Sequence, residues 1–218
     1  MFDLDGTLVD SVPLFVDILN DMLADRGAGR KVSPKQTRPH VTAGGPAMVA
    51  ALLGAECGDV GQAIADFRTR YRARPTPADC LFPGVREGLT DLYARGVGLA
   101  VFSNKPQSLC EKVLTELQVD HLFGAVVGTG PGIPLKPDPT GLDEALARIG
   151  AARARCCYVG DSDADYALAL GAGVPLVMVT YGYGDGPAAW SEASLAHDFA
   201  GVPDLVERLL PALARATA

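Results

Sequence analysis

The sequence predicts an α/β protein, with a doubly wound parallel sheet as its core and a small all-helical cap domain inserted after the first strand. From about residue 85 onward, short apolar runs alternate with amphipathic helical patterns, as in parallel sheets covered by helices on both faces. Between about residues 13 and 80 only helical patterns occur. We therefore predict a core of residues 1–12 and 80–218 and a helical cap of residues 13–79.

The cap is predicted to contain three helices. Apolar residues recur at helical spacing from Val12 to Arg26, and Gly27 ends this run. Further helical patterns cover about residues 46–54 and 59–74. Residues 37–45 are predicted to form a glycine-bearing loop that leads into the helix at 46–54.

In the core, predicted helices and strands alternate along the chain. Ligands of such sheets bind beyond the carboxyl ends of the strands, so functional residues are expected just after each strand. The predicted helices cover about residues 85–95, 107–117, 140–149, 164–170 and 202–214, and the strands cover 97–102, 125–127, 156–159 and 174–179.

The charge balance argues against several classes of partner. The 218 residues include 19 Lys and Arg against 26 Asp and Glu, a formal net charge of -7. A surface of that sign repels nucleic acid and anionic lipid, so we expect neither as a partner. We expect a monomer or a homodimer that acts on a small molecule.

The location is expected to be cytoplasmic. No signal peptide is evident, and glycines and a proline interrupt the uncharged residues 166–184, so this stretch is not predicted to span a membrane. The five cysteines fit reduced thiols. A zinc site is not expected, because neither a Cys-x-x-Cys motif nor a cluster of histidines occurs.

Polar side chains follow the predicted strands in an order that indicates one site. Each alone has an ordinary explanation, since Asp and Ser commonly cap helices and Lys is commonly solvated. The combination is different: Asp-x-Asp-Gly-Thr alone is expected by chance in on the order of one in 700 sequences of this length. In chain order the residues are Asp3, Asp5, Ser103, Asn104, Lys105, Lys136, Asp161 and Asp165.

Four segments carry these residues: Phe2-Asp-Leu-Asp-Gly-Thr-Leu8, Val101-Phe-Ser-Asn-Lys105, Lys136-Pro-Asp-Pro139 and Tyr158-Val-Gly-Asp-Ser-Asp-Ala-Asp165. With them the chain resembles the haloacid dehalogenase-like (HAD) superfamily of phosphotransferases over essentially its whole length, and in particular its phosphoglycolate phosphatases. The resemblance implies a Rossmann-like core with a helical cap. It also implies a phosphatase that hydrolyses a small anionic phosphomonoester, such as 2-phosphoglycolate, through an aspartyl-phosphate intermediate.

The resemblance also implies the roles of the first motif. Asp3 is expected to attack phosphorus, and Asp5 to protonate the leaving oxygen and later to accept a proton from water. This role requires a protonated Asp5 at the start, and surrounding like charges are expected to favour that form. Thr7 and the turn at Gly6 are expected to position Asp5. A carboxylate at the position of Asp5 indicates phosphate esters rather than organic halides.

A Mg²⁺ ion is implied by the same resemblance. Its ligands are expected to be the carboxylates of Asp3 and Asp161 and the main-chain carbonyl of Asp5, an oxygen-only set that suits this ion. Asp165 is expected to lie behind these ligands and to orient waters or Lys136.

The phosphoryl group is expected to be bound mainly by three residues of the core. The Ser103 hydroxyl and the Asn104 amide would hold phosphoryl oxygens, together with main-chain amides near Asp5, and Lys136 would neutralise their charge.

The leaving group is expected to meet the cap. Arg38, His40 and the amides near Gly44 are candidates to bind a substrate carboxylate, although a solvated Arg at a helix end is as good an interpretation for any one of them. The loop at residues 180–184 resembles the glycine-rich loop of phosphoglycolate phosphatases. Other reactions stay open: hydrolysis of a sugar phosphate, nucleotide or pyrophosphate, phosphosugar mutation, or phosphate-ligand binding without catalysis.

The first strand is expected to be central and about five or six residues long, yet only Met1 and Phe2 precede Asp3. Either about five further residues belong before Met1 in the working enzyme, or the central strand is short. In the second case we expect lower stability and activity, because the strand would bury less apolar surface.

Overall fold

A parallel sheet runs through the core of the computed structural model, which describes residues 1–184, 186 and 190–210. In the described residues the strand order is β2-β1-N-terminal segment-β3-β4-β5, and every pair of neighbours is parallel. The predicted class, a doubly wound α/β protein, is therefore confirmed. The strands are β1 (Ala100–Pro106), β2 (Ala125–Thr129), β3 (Tyr158–Gly160), β4 (Leu176–Val179) and β5 (Ser194–Ala196).

The N-terminal segment lies at the centre of this sheet. Phe2 forms parallel bridges to Val101 of β1 and to Val159 of β3. Its amide donates to the Ala100 carbonyl at 2.9 Å, and the Val159 amide donates to the Met1 carbonyl at 2.8 Å. The segment therefore joins the two halves of the sheet and brings the next residue to the carboxyl edge.

The faces of the sheet are covered by different helices, because side chains alternate between faces along each strand. Val101 packs in the cluster that contains α5, α6 and α9, whereas Ala100 and Phe102 pack with α7 and α8. The adjacent Cys156 and Cys157 also divide between the two clusters, because successive side chains of an extended segment point to opposite faces. The helices are α1 (Val12–Asp25), α2 (Pro34–Val41), α3 (Gly45–Leu53), α4 (Val60–Ala73), α5 (Val85–Ala94), α6 (Gln107–Glu116), α7 (Thr140–Arg148), α8 (Asp163–Ala172) and α9 (Val202–Leu209).

Helices α1 to α4 pack on one another between the first motif and Cys80. Aromatic contacts join helix α1 and helix α4. The ring centroid of Phe15 lies 5.6 Å from that of Phe67 and 5.9 Å from that of Tyr71. Both helices share one buried apolar cluster with the core. The apolar cluster of this segment is therefore continuous with the one that contains residues of α5 and α6.

The prediction of a loop at residues 37–45 is wrong for residues 37–41, because these belong to α2, which extends to Val41. Ser33 and Gln36 form a capping box at its start, and Pro34 occupies the first helical position. These local signals are strong enough to start a helix that continues through Pro39, which has no amide hydrogen to donate. The Ser-Pro-x-x sequence with Gln three residues after Ser was the signal that would have identified it.

The main differences from the predicted strands concern β1 and β5. The strand predicted at 97–102 begins at Ala100 and continues through Pro106, so Ser103 to Lys105 belong to it. The short strand β5 was not predicted, because Ser194 to Ala196 form no apolar run of the length expected of a strand. The predicted end of the last helix, beyond residue 210, lies outside the described residues.

No single helix in the described ranges is long and apolar enough to cross a membrane. The segments Gly45–Glu56 and Val60–Ala73 pass that test only as a pair, and they meet at a bend of 108°. The uncharged residues 166–184 divide into the end of α8, strand β4 and the following loop, as predicted.

The contact of α7 with the sheet gives a stability prediction. A Cβ atom on Gly141 would overlap the ring of Phe102. We expect Gly141→Ala to lower the free energy of unfolding by about 1–3 kcal/mol, because the buried ring has no room to move away. Urea unfolding measures this change.

Gly171→Ala on α8 is the matched control. Nothing lies within 4 Å of the Cβ position at Gly171, so this variant gains helix propensity and is expected to be unchanged or more stable by up to about 1 kcal/mol. A Gly141→Ala protein as stable as Gly171→Ala would show that the packing is wrong.

Candidate active site

Three buried carboxylates meet at the carboxyl edge of the sheet. Asp3 follows the N-terminal segment, Asp161 follows β3, and Asp165 lies in the first turn of α8. One carboxylate oxygen from each lies within 4.8 Å of the others. Because strands of a parallel sheet end at the same edge, residues far apart in sequence converge here as predicted.

The Lys136 ammonium lies between two of these carboxylates. Its Nζ is 2.8 Å from Asp3 Oδ1 and 2.7 Å from Asp165 Oδ1, and it is 3.4 Å from the Tyr158 hydroxyl. The angles of the contact between Lys136 and Asp3 are not those of a hydrogen bond. Asp3 Oδ1 therefore has no hydrogen-bond donor among the described residues. Burial opposes the charge on Lys136, but Asp165 and Asp3 raise its pKa above the usual value.

Burial and neighbouring charges shift the pKa values of the three carboxyls in different directions. Burial, partly offset by Lys136, raises the pKa of Asp3 to about 6. Burial and the charges of Asp165 and Asp3 raise the pKa of Asp161 well above its usual value. For Asp165, burial acts upward, but Lys136 and hydrogen bonds from Ser162 lower the pKa. Asp165 is therefore the carboxyl that keeps its negative charge most firmly.

The hydrogen bonds of Asp165 explain this difference. Ser162 and Asp165 form a capping box at the start of α8. Asp165 Oδ2 accepts from the Ser162 hydroxyl at 2.6 Å and from the Ser162 and Asp161 amides, while Oδ1 accepts from Lys136 and from Tyr158 at 3.0 Å. Both oxygens thus have donors, so Asp165 is suited to holding Lys136 in place.

Thr7 contacts Asp161 rather than Asp5, so the expectation that it positions Asp5 is wrong. The Thr7 hydroxyl donates to Asp161 Oδ1 at 2.8 Å. The turn at Gly6 has φ of 90° and brings the main chain so close to Asp161 that a Cβ atom there would overlap the carboxylate. The turn therefore leads the Thr7 hydroxyl back to Asp161 instead of forward to Asp5.

The loop at residues 180–184 closes over the same turn. The Tyr183 amide donates to Asp161 Oδ2 at 2.8 Å, and the Tyr181 hydroxyl donates to the Thr7 carbonyl at 2.8 Å. A Cβ atom at Gly182 or Gly184 would overlap Asp161. The glycines of this loop thus allow the close approach that orients Asp161.

Asp5 is paired with a cation. Lys105 Nζ lies 2.8 Å and 2.7 Å from the two oxygens of Asp5, and the Ser11 hydroxyl also donates to this carboxylate. The ammonium lies 5.1 Å from the ring centroid of Phe15 and 4.8 Å from that of Tyr71. The expectation that like charges surround Asp5 is therefore wrong, since its nearest charged neighbour is the ammonium of Lys105.

A polar cavity of about 40 Å³ lies above the cluster. The Asn104 side-chain oxygen accepts a hydrogen bond from the Lys136 amide at 2.8 Å, which fixes the Lys136 loop to the end of β1. Ser103 is buried, and its hydroxyl lies 3.4 Å from the Lys105 amide. The lining residues are Asp3, Asp5, Val41, Thr42, Ser103, Asn104, Lys105, Lys136 and Ser162.

Arg38 and His40 lie apart from this cavity. Arg38 donates to the carbonyls of Tyr181 and Gly182 at 3.4 and 3.3 Å, and its guanidinium lies 5.2 Å from the ring centroid of Tyr183. These contacts hold α2 against the loop at 180–184. Neither Arg38 nor His40 appears among the described residues that line a cavity at the carboxylate cluster.

The donor set can hold a divalent cation with oxygen ligands. Within the part of the chain that the structure describes, one oxygen of Asp3 has no hydrogen-bond donor, and Asp3 shares a cluster with Asp161. Among the residues that the structure describes, three carboxylates face one ammonium there, so a divalent cation would offset the remaining negative charge. The oxygens of Asp165 already have donors, which leaves Asp3 and Asp161 as the carboxylates best suited to direct ligation.

Sequence reasoning assigned no role to Lys105, Ser11 or Tyr183, although all three make hydrogen bonds at this site. Only Lys105 had a usable signal. It lies two residues after Ser103 on one strand, and alternate residues of a strand share a face. Ser11 and Tyr183 act through contacts that join distant parts of the chain.

Known proteins are similar to this chain in sequence. Residues 1–179 match the family model of haloacid dehalogenase-like hydrolases. The phosphoglycolate phosphatase of Xanthomonas campestris pv. campestris strain 8004 is 34% identical over 166 residues, which are 76% of this chain and 75% of that protein. A phosphoglycolate phosphatase of Cereibacter sphaeroides is 34% identical over 174 residues, covering 77% and 78% of the two chains.

The fold has a similar counterpart among crystal structures. A protein from Haemophilus somnus 129pt, called a predicted phosphoglycolate phosphatase, superposes with a TM-score of 0.84 at 28% identity and covers 94% of this chain and 95% of that one. By its family model and by these relatives, the chain belongs to the haloacid dehalogenase-like hydrolases.

Proposed function

We propose that the protein is a Mg²⁺-dependent phosphatase that hydrolyses a phosphomonoester through an aspartyl-phosphate on Asp3. The observation that carries this proposal is the position of the Asp3 carboxylate, 2.8 Å from Lys136 at the base of a polar cavity that Asp5 and Ser103 also line. Relatives named phosphoglycolate phosphatase make 2-phosphoglycolate the first substrate to test.

In the first step an oxygen of Asp3 attacks phosphorus, and the bond from phosphorus to the ester oxygen breaks. The leaving oxygen takes a proton from Asp5, which enters this step as the carboxylic acid and is left as the carboxylate that pairs with Lys105. With a pKa of about 6, Asp3 is mostly ionised at neutral pH, as a nucleophile requires. Lys136 offsets the charge that repels a phosphate dianion from the Asp3 carboxylate.

In the second step a water molecule attacks phosphorus of the aspartyl-phosphate. Asp5 accepts the proton of this water, and the bond from phosphorus to the Asp3 oxygen breaks, which releases inorganic phosphate. The ammonium of Lys105 holds the Asp5 carboxylate in one orientation for both proton transfers. Ser103 and the Asn104 amide would orient the phosphoryl oxygens.

Asp3, Asp161 and the Asp5 carbonyl would hold a Mg²⁺ ion, which when bound supplies positive charge to the phosphoryl oxygens. Thr7 and the Tyr183 amide orient Asp161 for this task. Asp165 acts behind these ligands by holding Lys136.

We further propose that residues 13–79 form a cap that encloses the leaving group, with a core of residues 1–12 and 80–218. Cavity-lining residues from α3 and α4 support this division. The net charge of -7 supports a small-molecule substrate rather than nucleic acid or an anionic membrane. Five free, buried cysteines support a cytoplasmic location, and we expect a monomer or a homodimer.

Asp3→Asn tests the nucleophile. The amide is a far weaker nucleophile, so we expect release of phosphate from p-nitrophenyl phosphate to fall by about 10³-fold or more. Asp17→Asn, at an exposed position on α1, is the control and keeps full activity. A variant at Asp3 with a tenth of the wild-type rate would refute the assignment, and so would a wild-type protein that binds phosphate without hydrolysing any ester.

Asp161→Asn tests the metal site. We expect chelation by EDTA to abolish activity and Mg²⁺ to restore it, and we expect Asp161→Asn to raise the Mg²⁺ concentration for half-maximal activity by about tenfold or more. Asp163→Asn is the control, since Asp163 accepts its hydrogen bond from Trp190 and an amide oxygen can do the same. Equal Mg²⁺ requirements for the two variants would contradict the proposed ligand.

Lys105→Met tests the positioning of Asp5. The variant keeps the apolar stem and loses the ammonium, so we expect kcat for 2-phosphoglycolate to fall by about 10–100-fold, with a smaller loss for p-nitrophenyl phosphate. The difference arises because p-nitrophenolate leaves without needing a proton. Lys35→Met, exposed on α2, is the control. Equal losses for both esters would indicate a purely structural role for Lys105.

A further inference from the structure

A second and larger cavity opens beside Asp5. Its volume is about 380 Å³, and it lies between helices α1, α3 and α4 and the end of β1. It shares Asp5, Val41, Asn104 and Lys105 with the polar cavity of about 40 Å³. The two cavities thus adjoin at the proposed proton donor, where the ester oxygen of a bound substrate would lie.

The walls of the larger cavity are mostly apolar. Side chains from the helical segment and from α6 contribute most of its lining, including Phe15, Met48, Ile64, Phe67, Tyr71 and Leu109. Its volume falls in the range of about 300–1,000 Å³ that is typical of sites for whole small molecules. A glycolate group would fill a small part of this space and would leave the aromatic walls facing water.

Among the described residues, three charged ones line the cavity, and two of these neutralise each other. Asp5 and Lys105 form an ion pair. The third, Arg68 on α4, makes neither an ion pair nor a side-chain hydrogen bond within the part of the chain that the structure describes. A half-buried guanidinium beside apolar walls is suited to bind a carboxylate or another anionic group of a ligand.

We propose that the preferred substrate is a phosphomonoester whose alcohol has an apolar body, aromatic or branched aliphatic, and carries an anionic group that binds Arg68. The inference rests on the proposed phosphatase function and specifies its substrate class. The phosphoryl group occupies the polar cavity, and the apolar body occupies the larger one. Phosphoglycolate lacks such a body, because a single carbon separates its ester oxygen from its carboxylate.

Three esters of primary alcohols test the substrate class, because their leaving groups are chemically similar. They are 2-phosphoglycolate, benzyl phosphate and 4-carboxybenzyl phosphate. We expect kcat/KM to be highest for 4-carboxybenzyl phosphate, and to be about tenfold or more higher than for 2-phosphoglycolate. A higher kcat/KM for 2-phosphoglycolate than for both benzyl esters would overturn the inference.

Arg68→Gln tests the anion contact. We expect its kcat/KM for 4-carboxybenzyl phosphate to fall by about tenfold or more, while that for benzyl phosphate stays within about twofold. Arg72→Gln is the matched control, one turn further along α4 at an exposed position, and changes neither value. Equal losses for the two benzyl esters in Arg68→Gln would overturn the assignment of Arg68.

Ala47→Trp tests the apolar part of the cavity. Ala47 is exposed on α3 and lines the cavity, so an indole there fills space without disturbing the core. We expect kcat/KM for benzyl phosphate to fall by about tenfold or more and that for 2-phosphoglycolate to stay within about twofold. Ala51→Trp, one turn further along and also exposed, is the control. Equal losses for all esters in Ala47→Trp would count against the cavity as the substrate site.

The results also separate this inference from the proposed function. If wild-type protein releases phosphate in an Asp3-dependent manner but prefers 2-phosphoglycolate, the substrate class is wrong and the phosphatase function stands. If none of the three esters is hydrolysed by wild-type protein with Mg²⁺, the phosphatase function fails and the substrate class fails with it.

Discussion

The Lys136 ammonium lies in the protein interior, 2.8 Å from one carboxylate oxygen of Asp3 and 2.7 Å from one of Asp165. Taking three carboxylates out of water at this edge of the sheet is costly unless opposite charge compensates them. Lys136 supplies one positive charge, yet burial, together with the negative charge that remains, still raises the pKa values of Asp3 and Asp161. A site with this excess of negative charge favours the binding of a divalent cation. A phosphoryl group can then bind to the same cation.

Much of the surrounding structure serves to keep these charged groups in place. The capping box at the start of α8 holds Asp165, which in turn holds Lys136. Asp161 is held from the other side by Thr7 and by the Tyr183 amide. Close main-chain approaches at the turn of Gly6 and in the loop at 180–184 make these contacts geometrically feasible. Substitution at any of these supports should therefore change the geometry at Lys136 or Asp161.

The sequence predicted the meeting of the polar residues well, because parallel strands must end at one edge and apolar runs of core strands are easy to identify. It predicted neighbours within the site less well. The motifs indicated that Thr7 and Lys105 lie at the site. Their hydrogen-bond partners could not be predicted, because these depend on how turns fold back across the sheet edge. The start of α2 was a local signal that was missed, whereas β5 has too little apolar character to be identified. The large cavity depends on the packing of several helices, which no local pattern specifies.

The central claim is that Asp3 accepts the phosphoryl group while Lys136 offsets its charge. The most direct measurement is to quench the wild-type protein in acid during turnover of p-nitrophenyl phosphate, digest it, and map the phosphoryl group by mass spectrometry. The account predicts phosphorylation of Asp3 and none in an Asp3→Asn protein treated in the same way. A phosphoryl group mapped to Asp5 or another residue, or turnover by the Asp3→Asn protein at the wild-type rate, would contradict it.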